Sequence, residues 1–202
     1  MSPLPRLYAI ADASFGDPVR LAQALFDGGV RLLQVRNKTG SARELLQQVE
    51  RILVLAPKDA RVLVNDRLDV ALISGAAGVH LGQTDLPAVS ARRILGPDRI
   101  VGFSTHSLEQ AVAGSSQPVD YIAVGPVFAT TTKENADPVV GLQGLSKICS
   151  EVRKPVVAIG GIRLENAKDI LRSGAASIAV IRDLLDTNEV AKRASEWLRE
   201  LS

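Results

Sequence analysis

Short runs of branched and aliphatic residues alternate along the chain with longer stretches in which apolar residues recur every three or four positions. The short runs have the composition and length of buried strands, and the longer stretches have the period of amphipathic helices. The predicted strands are 7–11, 32–36, 61–65, 78–81, 100–104, 121–125, 155–160 and 177–181. The predicted helices include 19–26, 42–56, 86–95, 142–152, 164–172 and 184–201.

This order of elements predicts an α/β fold. Eight strands alternating with helices favour a parallel sheet, and eight such units in 202 residues fit one (β/α)8 TIM barrel domain over residues 1–202. An open doubly wound sheet is the alternative, but no GxGxxG fingerprint follows the first strand. Residues 126–141 lack a periodic pattern and lie in the longest interval between strand starts. Long loops in compact domains are often functional, so we expect an active-site loop there.

Composition narrows the class of function. Lys and Arg number 24 and Asp and Glu 22, so the net charge of +2 is too small for a protein whose main task is to neutralise nucleic-acid phosphates. Aromatic residues make up only 3% of the chain, which argues against a base-stacking platform. The single cysteine excludes an internal disulfide and a cysteine metal cage. The first residues lack a signal-peptide pattern and no uncharged run is long enough for a bilayer, so we expect a cytoplasmic protein with no membrane partner.

Polar side chains gather at the carboxyl ends of the predicted strands, the face on which barrel enzymes build their active sites. One or two polar strand ends are common by chance, but six of the eight strands end in this way. Strand alternation also places Gln34 and Arg36 on one face of the second strand. The other polar residues at this face are Lys38, Asn65, Asp66, Asp85, Ser104, Thr130, Thr132, Lys133 and the pair Gly160-Gly161.

The cations and glycines among them predict two anion sites. Arg36, Lys38 and Lys133 suit a multiply charged anion. The pair Gly160-Gly161 exposes backbone N–H groups before a helix, at the position of the recurrent barrel phosphate site.

Two aspartates from neighbouring loops, Asp66 and Asp85, predict a metal site beside the first anion site. A few hard oxygen ligands favour Mg²⁺ held jointly with substrate phosphates. The alternative is that each aspartate caps the helix that follows it.

Structural explanations also exist for other members of the set. Gln34 and Arg36 could form a buried polar layer inside the barrel, and Gly160-Gly161 could be a tight turn. His80 and His106 are expected to be hydrogen-bonded at strand ends rather than to form a catalytic pair. Complementary charges on one rim nevertheless favour a functional site over a set of unrelated caps and turns.

Taken together, the motifs resemble the thiamine phosphate synthase family, in order and with family-like spacing from residue 7 to residue 185. The segments that carry the resemblance are 34–38 (QVRNK), 65–69 (NDRLD), 78–85 (GVHLGQTD), 104–107 (STHS), 125–133 (GPVFATTTK) and 158–162 (AIGGI).

The resemblance implies a barrel enzyme in which the ring nitrogen of thiazole phosphate displaces diphosphate from hydroxymethylpyrimidine diphosphate, through a pyrimidinylmethyl cation. It implies that Asp66 and Asp85 bind Mg²⁺ and that Ser104 touches the reacting pyrimidine or its diphosphate. Arg36, Ser104 and Lys133 are then the expected catalytic residues. The implied pyrimidine diphosphate ligands are Gln34, Arg36, Lys38, Asn65 and Lys133, and the implied thiazole phosphate ligands are Thr130, Thr132, Gly161, Ile181 and Arg182.

Two positions depart from the family pattern: Asn37 stands where an acidic residue is common, and Arg182 stands where serine is common. Either only the backbone N–H of residue 182 meets the thiazole phosphate, or the guanidinium clamps it. A thiazole tautomerase on the same scaffold, or a non-catalytic phosphate-binding barrel, are the competing functions. Neither explains why the diphosphate and metal residues are all present. The resemblance also implies a homodimer.

Overall fold

The computed structural model of the protein describes residues 3–130 and 137–202, and its eight parallel strands close into a barrel in chain order. The last strand pairs with the first, with Leu7 opposite Ile178. The strands are β1 (Leu7–Asp12), β2 (Leu32–Arg36), β3 (Arg61–Asn65), β4 (Gly78–Leu81), β5 (Ile100–Thr105), β6 (Tyr121–Val124), β7 (Val156–Ile159) and β8 (Ser177–Val180). The predicted (β/α)8 barrel is therefore confirmed.

Helices follow the strands around the outside of the barrel. They are α1 (Pro18–Asp27), α2 (Ala42–Leu55), α3 (Leu68–Ser74), α4 (Ala88–Leu95), α5 (Leu108–Ser115), α6 (Gly141–Glu151), α7 (Ala167–Arg172), α8 (Arg182–Leu185) and α9 (Val190–Leu201). Short 3₁₀ turns at Ala13–Phe15 and Leu164–Asn166 precede α1 and α7. None of the helices within residues 3–130 and 137–202 is long and apolar enough to cross a membrane.

The first helices begin where the sequence supplies capping side chains. Asp17 accepts a hydrogen bond from the Val19 N–H at the start of α1, and Pro18 occupies the first turn. At α2, Ser41 and Glu44 exchange the two hydrogen bonds of a capping box.

The predicted helix over 184–201 was wrong, because the structure has two helices there. The short helix α8 ends at Leu185, and α9 begins at Val190. Between them stand Asp186, Thr187 and an asparagine, whose side chains compete with helical backbone hydrogen bonds. Thr187 Oγ1 accepts from the Glu189 N–H at 3.1 Å, so this segment turns instead of continuing the helix.

Two apolar layers follow from strand alternation. One set of side chains packs between the barrel and the helices, for example Leu7, Ala9 and Ala11 of β1. The alternate set fills the barrel itself, including Tyr8 and Ile10 of the same strand. Polar residues at the alternate strand positions that point into the barrel can therefore reach one another across it. They form the site described next.

Candidate active site

A cavity of about 1170 Å³ opens at the carboxyl ends of the strands. Eleven of the predicted site residues line it, from seven strands and the loops that follow them: Gln34, Arg36, Lys38, Asn65, Asp66, Asp85, Ser104, Thr130, Gly161, Ile181 and Arg182. Thr132 and Lys133 lie outside the described residues, so their predicted roles stay predictions.

Arg36 is held in the cavity wall by a carboxylate on the neighbouring strand. Asp12 is its register partner in the β1–β2 pair, and Arg36 Nη1 donates to Asp12 Oδ2 at 2.5 Å. Asp12 is buried, and its other oxygen accepts from the Ser14 N–H and hydroxyl at 2.9 and 2.8 Å. A fixed aspartate therefore orients a guanidinium that is itself still partly exposed to the cavity.

Lys38 and Asp66 form the next ion pair along the rim. The loop that carries Lys38 is tied down by Asn37, which donates to Gln48 and accepts from the Gly40 N–H at 3.1 and 2.8 Å. Asn37 thus stabilises this loop with both ends of its amide, the nitrogen as donor and the oxygen as acceptor.

Asp66 and Asp85 lie close together, and neither caps a helix. The residues at the cap positions of α3 and α4 are Arg67 and Pro87, and neither helix start receives a side-chain cap. Asp85 Oδ2 instead accepts from the Gly82 N–H at 2.6 Å, and Asp66 has a left-handed backbone with φ of 59°. The capping alternative is therefore wrong for both aspartates.

The two carboxylates of Asp66 and Asp85 repel each other when both are ionised. Burial raises the pKa of Asp85, the Gly82 N–H opposes that rise, and the neighbouring Asp66 carboxylate adds to it. Within residues 3–130 and 137–202, no three or more His, Cys, Asp or Glu side chains gather as a metal cluster. Two carboxylates fit Mg²⁺, which commonly completes its octahedron with water and substrate phosphate.

Below these charges, a continuous hydrogen-bonded chain crosses the interior of the barrel. Gln34 Nε2 donates to the Tyr8 hydroxyl at 2.8 Å, and the Tyr8 and Tyr121 hydroxyls are 3.0 Å apart. The Tyr121 hydroxyl lies 2.8 Å from His80 Nδ1, and His80 Nε2 lies 2.8 Å from the Ser104 hydroxyl. Gln34 and Ser104 are thus the two ends of one chain.

The middle of the chain is buried and neutral. Burial lowers the pKa of His80 to about 4 and raises the pKa of both Tyr8 and Tyr121 above the usual phenol value. The imidazole also stacks on the Tyr121 ring, with centroids 5.6 Å apart. His80 is therefore hydrogen-bonded at a strand end, as expected, and serves as part of an interior network.

A glycine makes room for this network. A Cβ on Gly102 would lie 2.1 Å from Cζ and 2.2 Å from the hydroxyl oxygen of Tyr121, far inside van der Waals contact. Only glycine at this position of β5 lets the phenol cross the barrel towards Tyr8 and His80.

The far end of the cavity is built from the Gly160-Gly161 pair and the end of β8. Gly160 and Gly161 have φ of 98° and 64°, and a Cβ on Gly161 would lie 2.4 Å from the Ala129 carbonyl oxygen. Val127 and Phe128 donate backbone hydrogen bonds to Ile159 and Gly160, so the start of the loop runs beside β7. The pair bends the chain after β7 through two residues with positive φ, and it lines the cavity.

Arg182 begins α8 and turns its side chain along the cavity edge. Its guanidinium lies 5.3 Å from the Phe15 ring centroid, and Nη1 is 3.3 Å from Asp186 Oδ2. The side chain is half exposed. The Arg182 side chain is therefore held partly against the protein, and the Asp186 carboxylate would compete with a bound phosphate for its guanidinium.

Sequence reasoning missed Asp12, Tyr8 and Tyr121. The predicted first strand ended at residue 11, one residue before the aspartate. Had it been extended, alternation from Tyr8 and Ile10 would have placed Asp12 inside the barrel. Nothing local in the sequence links Tyr8 to Tyr121, which are 113 positions apart.

Comparisons with known proteins show which family the chain belongs to. The family model described as thiamine monophosphate synthase matches residues 7–184. The chain belongs to that family. It is 47% identical to the thiamine-phosphate synthase of Koribacter versatilis over 98% of this chain and 96% of that one, and 47% identical to the same-named protein of Chlorobium phaeovibrioides over 88% and 85%.

The fold of the thiamine monophosphate synthase family is also found among solved structures similar to this chain. Thiamine phosphate pyrophosphorylase from Pyrococcus furiosus has a TM-score of 0.89 and 36% identity, covering 97% of this chain and 95% of that one. The family inferred from the motifs is confirmed, and so is the transferase class of enzyme that it implies.

Proposed function

We propose that the cavity joins hydroxymethylpyrimidine diphosphate to hydroxyethylthiazole phosphate, forming thiamine phosphate and diphosphate by a dissociative, Mg²⁺-assisted substitution. The carbon–oxygen bond to diphosphate breaks with its electron pair leaving on the diphosphate, and the thiazole ring nitrogen then supplies the pair for the new carbon–nitrogen bond. The observation that carries the proposal is that the paired aspartates and the two rim cations line the same cavity as the glycine pair.

The diphosphate is assigned to the end of the cavity that holds Arg36 and Lys38. Each cation is already oriented by a carboxylate, Arg36 by Asp12 and Lys38 by Asp66. Negative charge that develops on the leaving diphosphate therefore meets cations that are already in position. Such preorganisation of charged groups is the main source of electrostatic catalysis. Lys133 belongs to the same group of cations by resemblance.

Asp66 and Asp85 are the residues that would hold Mg²⁺. Bound there, the ion would neutralise charge on the diphosphate. The fit rests on the donor set: two close carboxylates, one with a raised pKa, present negative charge that the protein leaves only partly compensated by Lys38.

The thiazole phosphate is assigned to the opposite end, at Gly161, Ile181, Arg182 and Thr130. Holding both substrates in one cavity converts a bimolecular encounter into an oriented one, which suits a cation that must be captured quickly. Ser104 lines the same cavity and is assigned to contact with the pyrimidine. No protein nucleophile is needed for this chemistry.

A direct assay tests the proposal. The protein is mixed with both substrates and Mg²⁺, and thiamine phosphate is quantified after oxidation to its fluorescent thiochrome. Product is expected with Mg²⁺ and not with EDTA, and Asp66→Asn and Asp85→Asn should each lower turnover by about 100-fold or more. Asp69→Asn is the matched control, because Asp69 pairs with Arg67 on the exposed surface beside the site.

The two rival functions give different results in the same assay. A tautomerase would isomerise a thiazole substrate without the pyrimidine diphosphate and with EDTA present. A binding protein would retain either ligand without forming product. Either result would overturn the proposed substitution.

We also propose a cytoplasmic location and a homodimer. Three consecutive outer helices, α3, α4 and α5, expose apolar side chains, including Ile73 at 67%, Val89 at 61% and Val112 at 45%. A dimer that covered the exposed apolar side chains of these helices would remove them from water, which favours self-association. Light scattering after gel filtration should give twice the chain mass, and Ile73→Lys combined with Val89→Lys should give the monomer. A monomeric wild-type protein would contradict the dimer.

A further inference from the structure

Three buried residues, Tyr8, Tyr121 and His80, connect Gln34 to Ser104, and the resemblance makes both of these end residues substrate ligands. We call these three residues the inner relay. They are 1%, 0% and 7% exposed, and they join Gln34 to Ser104 through four hydrogen bonds of 2.8 to 3.0 Å. No buried side-chain polar atom in the described part of the chain lacks a partner, so the network is complete.

The donors and acceptors of the relay can be ordered from one end. Gln34 donates its amide hydrogen to the Tyr8 oxygen, so the Tyr8 O–H must donate to Tyr121. The Tyr121 oxygen then accepts, and its own O–H must donate to His80 Nδ1.

The same order continues to the other end. A neutral imidazole has one acceptor and one donor nitrogen, so with Nδ1 accepting, Nε2 carries the hydrogen and donates to the Ser104 oxygen. Every hydroxyl in the chain therefore points in one direction, from Gln34 towards Ser104.

This direction fixes what the cavity presents to a ligand. With the Gln34 nitrogen engaged by Tyr8, the amide oxygen remains as an acceptor beside the cavity. With the Ser104 oxygen engaged by His80, the hydroxyl hydrogen remains as a donor. Both residues line the cavity, so a heteroaromatic ring whose edge lies against them meets an acceptor at Gln34 and a donor at Ser104.

We propose that the inner relay sets substrate specificity, because it orders the hydrogens so that the site accepts a pyrimidine bearing an amino group and rejects the same ring bearing an oxo group. This rests on the proposed function, in which Ser104 contacts the pyrimidine, and on the resemblance, which makes Gln34 a ligand of the pyrimidine diphosphate. An aminopyrimidine edge offers an N–H donor beside a ring-nitrogen acceptor. The oxo ring in its lactam form offers an oxygen acceptor beside an N–H donor, the reverse pattern. Sites built to pair a specific donor reject an analogue that lacks it, because buried groups are then left unpaired.

The burial of the relay keeps this order in place. The three side chains are almost wholly buried, and burial raises the pKa of both phenols, so the phenol hydrogens stay within the chain. Reversal would require the Gln34 amide to turn over together with every hydrogen bond in the chain. The three relay residues are thus positioning residues that act through Gln34 and Ser104.

The first experiment measures the hydrogen order without any substrate. The chain has two histidines, so nitrogen-15 histidine labelling gives two ring systems, and His106→Gln identifies the signals of His80. The proposal requires a protonated Nε2 and an unprotonated Nδ1 on His80 at neutral pH. The opposite tautomer would overturn it. In Tyr121→Phe the Nδ1 acceptor loses its donor, and both tautomers should appear.

The second experiment measures specificity by the ratio of the dissociation constants of the amino and oxo pyrimidine diphosphates. Tyr8→Phe and Tyr121→Phe interrupt the relay at different links, and each should reduce the preference for the amino ring by about tenfold or more. Thr105→Val is the matched control, because it removes a buried hydroxyl of β5 that donates to the Ala123 carbonyl outside the relay. It should change the ratio by less than about twofold.

The two failures are distinguishable. If the wild-type chain forms no thiamine phosphate, the proposed function fails, while the tautomer and the binding ratio still decide the relay. If product forms but both Tyr→Phe variants fold, as judged by their melting curves, and keep the wild-type ratio, the relay proposal is overturned and the synthase activity stands.

Discussion

Arg36 and Asp12 face each other across neighbouring strands, and the aspartate that fixes the guanidinium is only 1% exposed. Arg36 Nη1 donates to Oδ2 at 2.5 Å, and the Ser14 N–H and hydroxyl donate to Oδ1, so three hydrogen bonds hold the carboxylate in place. Asp12 therefore acts on the reaction through Arg36.

Asp12→Asn should lower kcat by about tenfold while changing KM for the pyrimidine diphosphate by less than about threefold. The neutral amide loses a charge-assisted bond, which is roughly twice as strong as a neutral one, and Arg36 loses its fixed position. Steady-state kinetics with both substrates give the two constants. Asp59→Asn removes the exposed partner of Arg31 and serves as control. A kcat equal to that of the control would show that Arg36 needs no orienting partner.

The site residues predicted from the sequence are those that local signals mark, and the ones missed depend on exact strand ends or on barrel closure. Arg36, Asp66 and Asp85 were found because period-two alternation and strand ends are local signals. Asp12 was missed because a strand end cannot be located to one residue from composition. The Tyr8–Tyr121 contact depends on barrel closure, which brings together residues far apart in sequence and is set by strand register rather than by any local pattern.

The raised pKa of Asp85 leads to a pH dependence of metal use. Burial and the adjacent Asp66 carboxylate favour the protonated form, so protons compete with Mg²⁺ at a higher pH than they would for an exposed aspartate. The Mg²⁺ concentration for half-maximal rate should rise as the pH is lowered from neutral. It is measured after correction for the affinity of Mg²⁺ for the free substrate over the same pH range. A half-saturating concentration that does not change with pH would contradict this assignment.

Gly102→Ala should destabilise the barrel by about 3 kcal/mol, the upper part of the range for overpacking a core. The added methyl group meets the Tyr121 ring itself and not only its hydroxyl. Tyr121→Phe should therefore fail to rescue the variant, whereas Tyr121→Leu should restore part of the lost stability. Urea unfolding of the two double variants measures both effects.

The comparison for this prediction is Gly75→Ala. A Cβ on Gly75 meets nothing within 4 Å, but φ is 77°, so only the left-handed backbone penalty of about 1 kcal/mol applies. Equal losses for the two glycines would show that Tyr121 moves aside without cost.

His80 should make the fold sensitive to mild acid. Its pKa is about 4 in the folded chain, below the ordinary histidine value of 6.5 that applies in the unfolded chain, so the unfolded state binds a proton first as the pH falls. The contribution of His80 to the free energy of unfolding is therefore complete above about pH 6.5. Up to about 3 kcal/mol of it is lost as the pH falls towards about 4. The free energy of unfolding, measured with urea at each pH in this range, should fall more steeply with decreasing pH for wild type than for His80→Gln. His106→Gln, which leaves His80 intact, should keep the wild-type slope, and equal slopes in all three proteins would refute the assignment.

Arg182 stands between two anions, the Asp186 carboxylate beside it and the phosphate assigned to the same end of the cavity. The guanidinium is half exposed, so solvent screens part of its attraction to either one. We expect Arg182→Ala to weaken binding of thiazole phosphate by about fivefold, less than the full value of a buried charge-assisted bond. Asp186→Asn should have the opposite effect, because it removes the carboxylate that competes for the guanidinium. Calorimetric titration with thiazole phosphate at two salt concentrations measures both variants, and the gain in Asp186→Asn should shrink at high salt. If both variants bind as the wild type does, only the backbone of residue 182 meets the phosphate. If both bind more weakly, Asp186 supports the site rather than competing with the ligand.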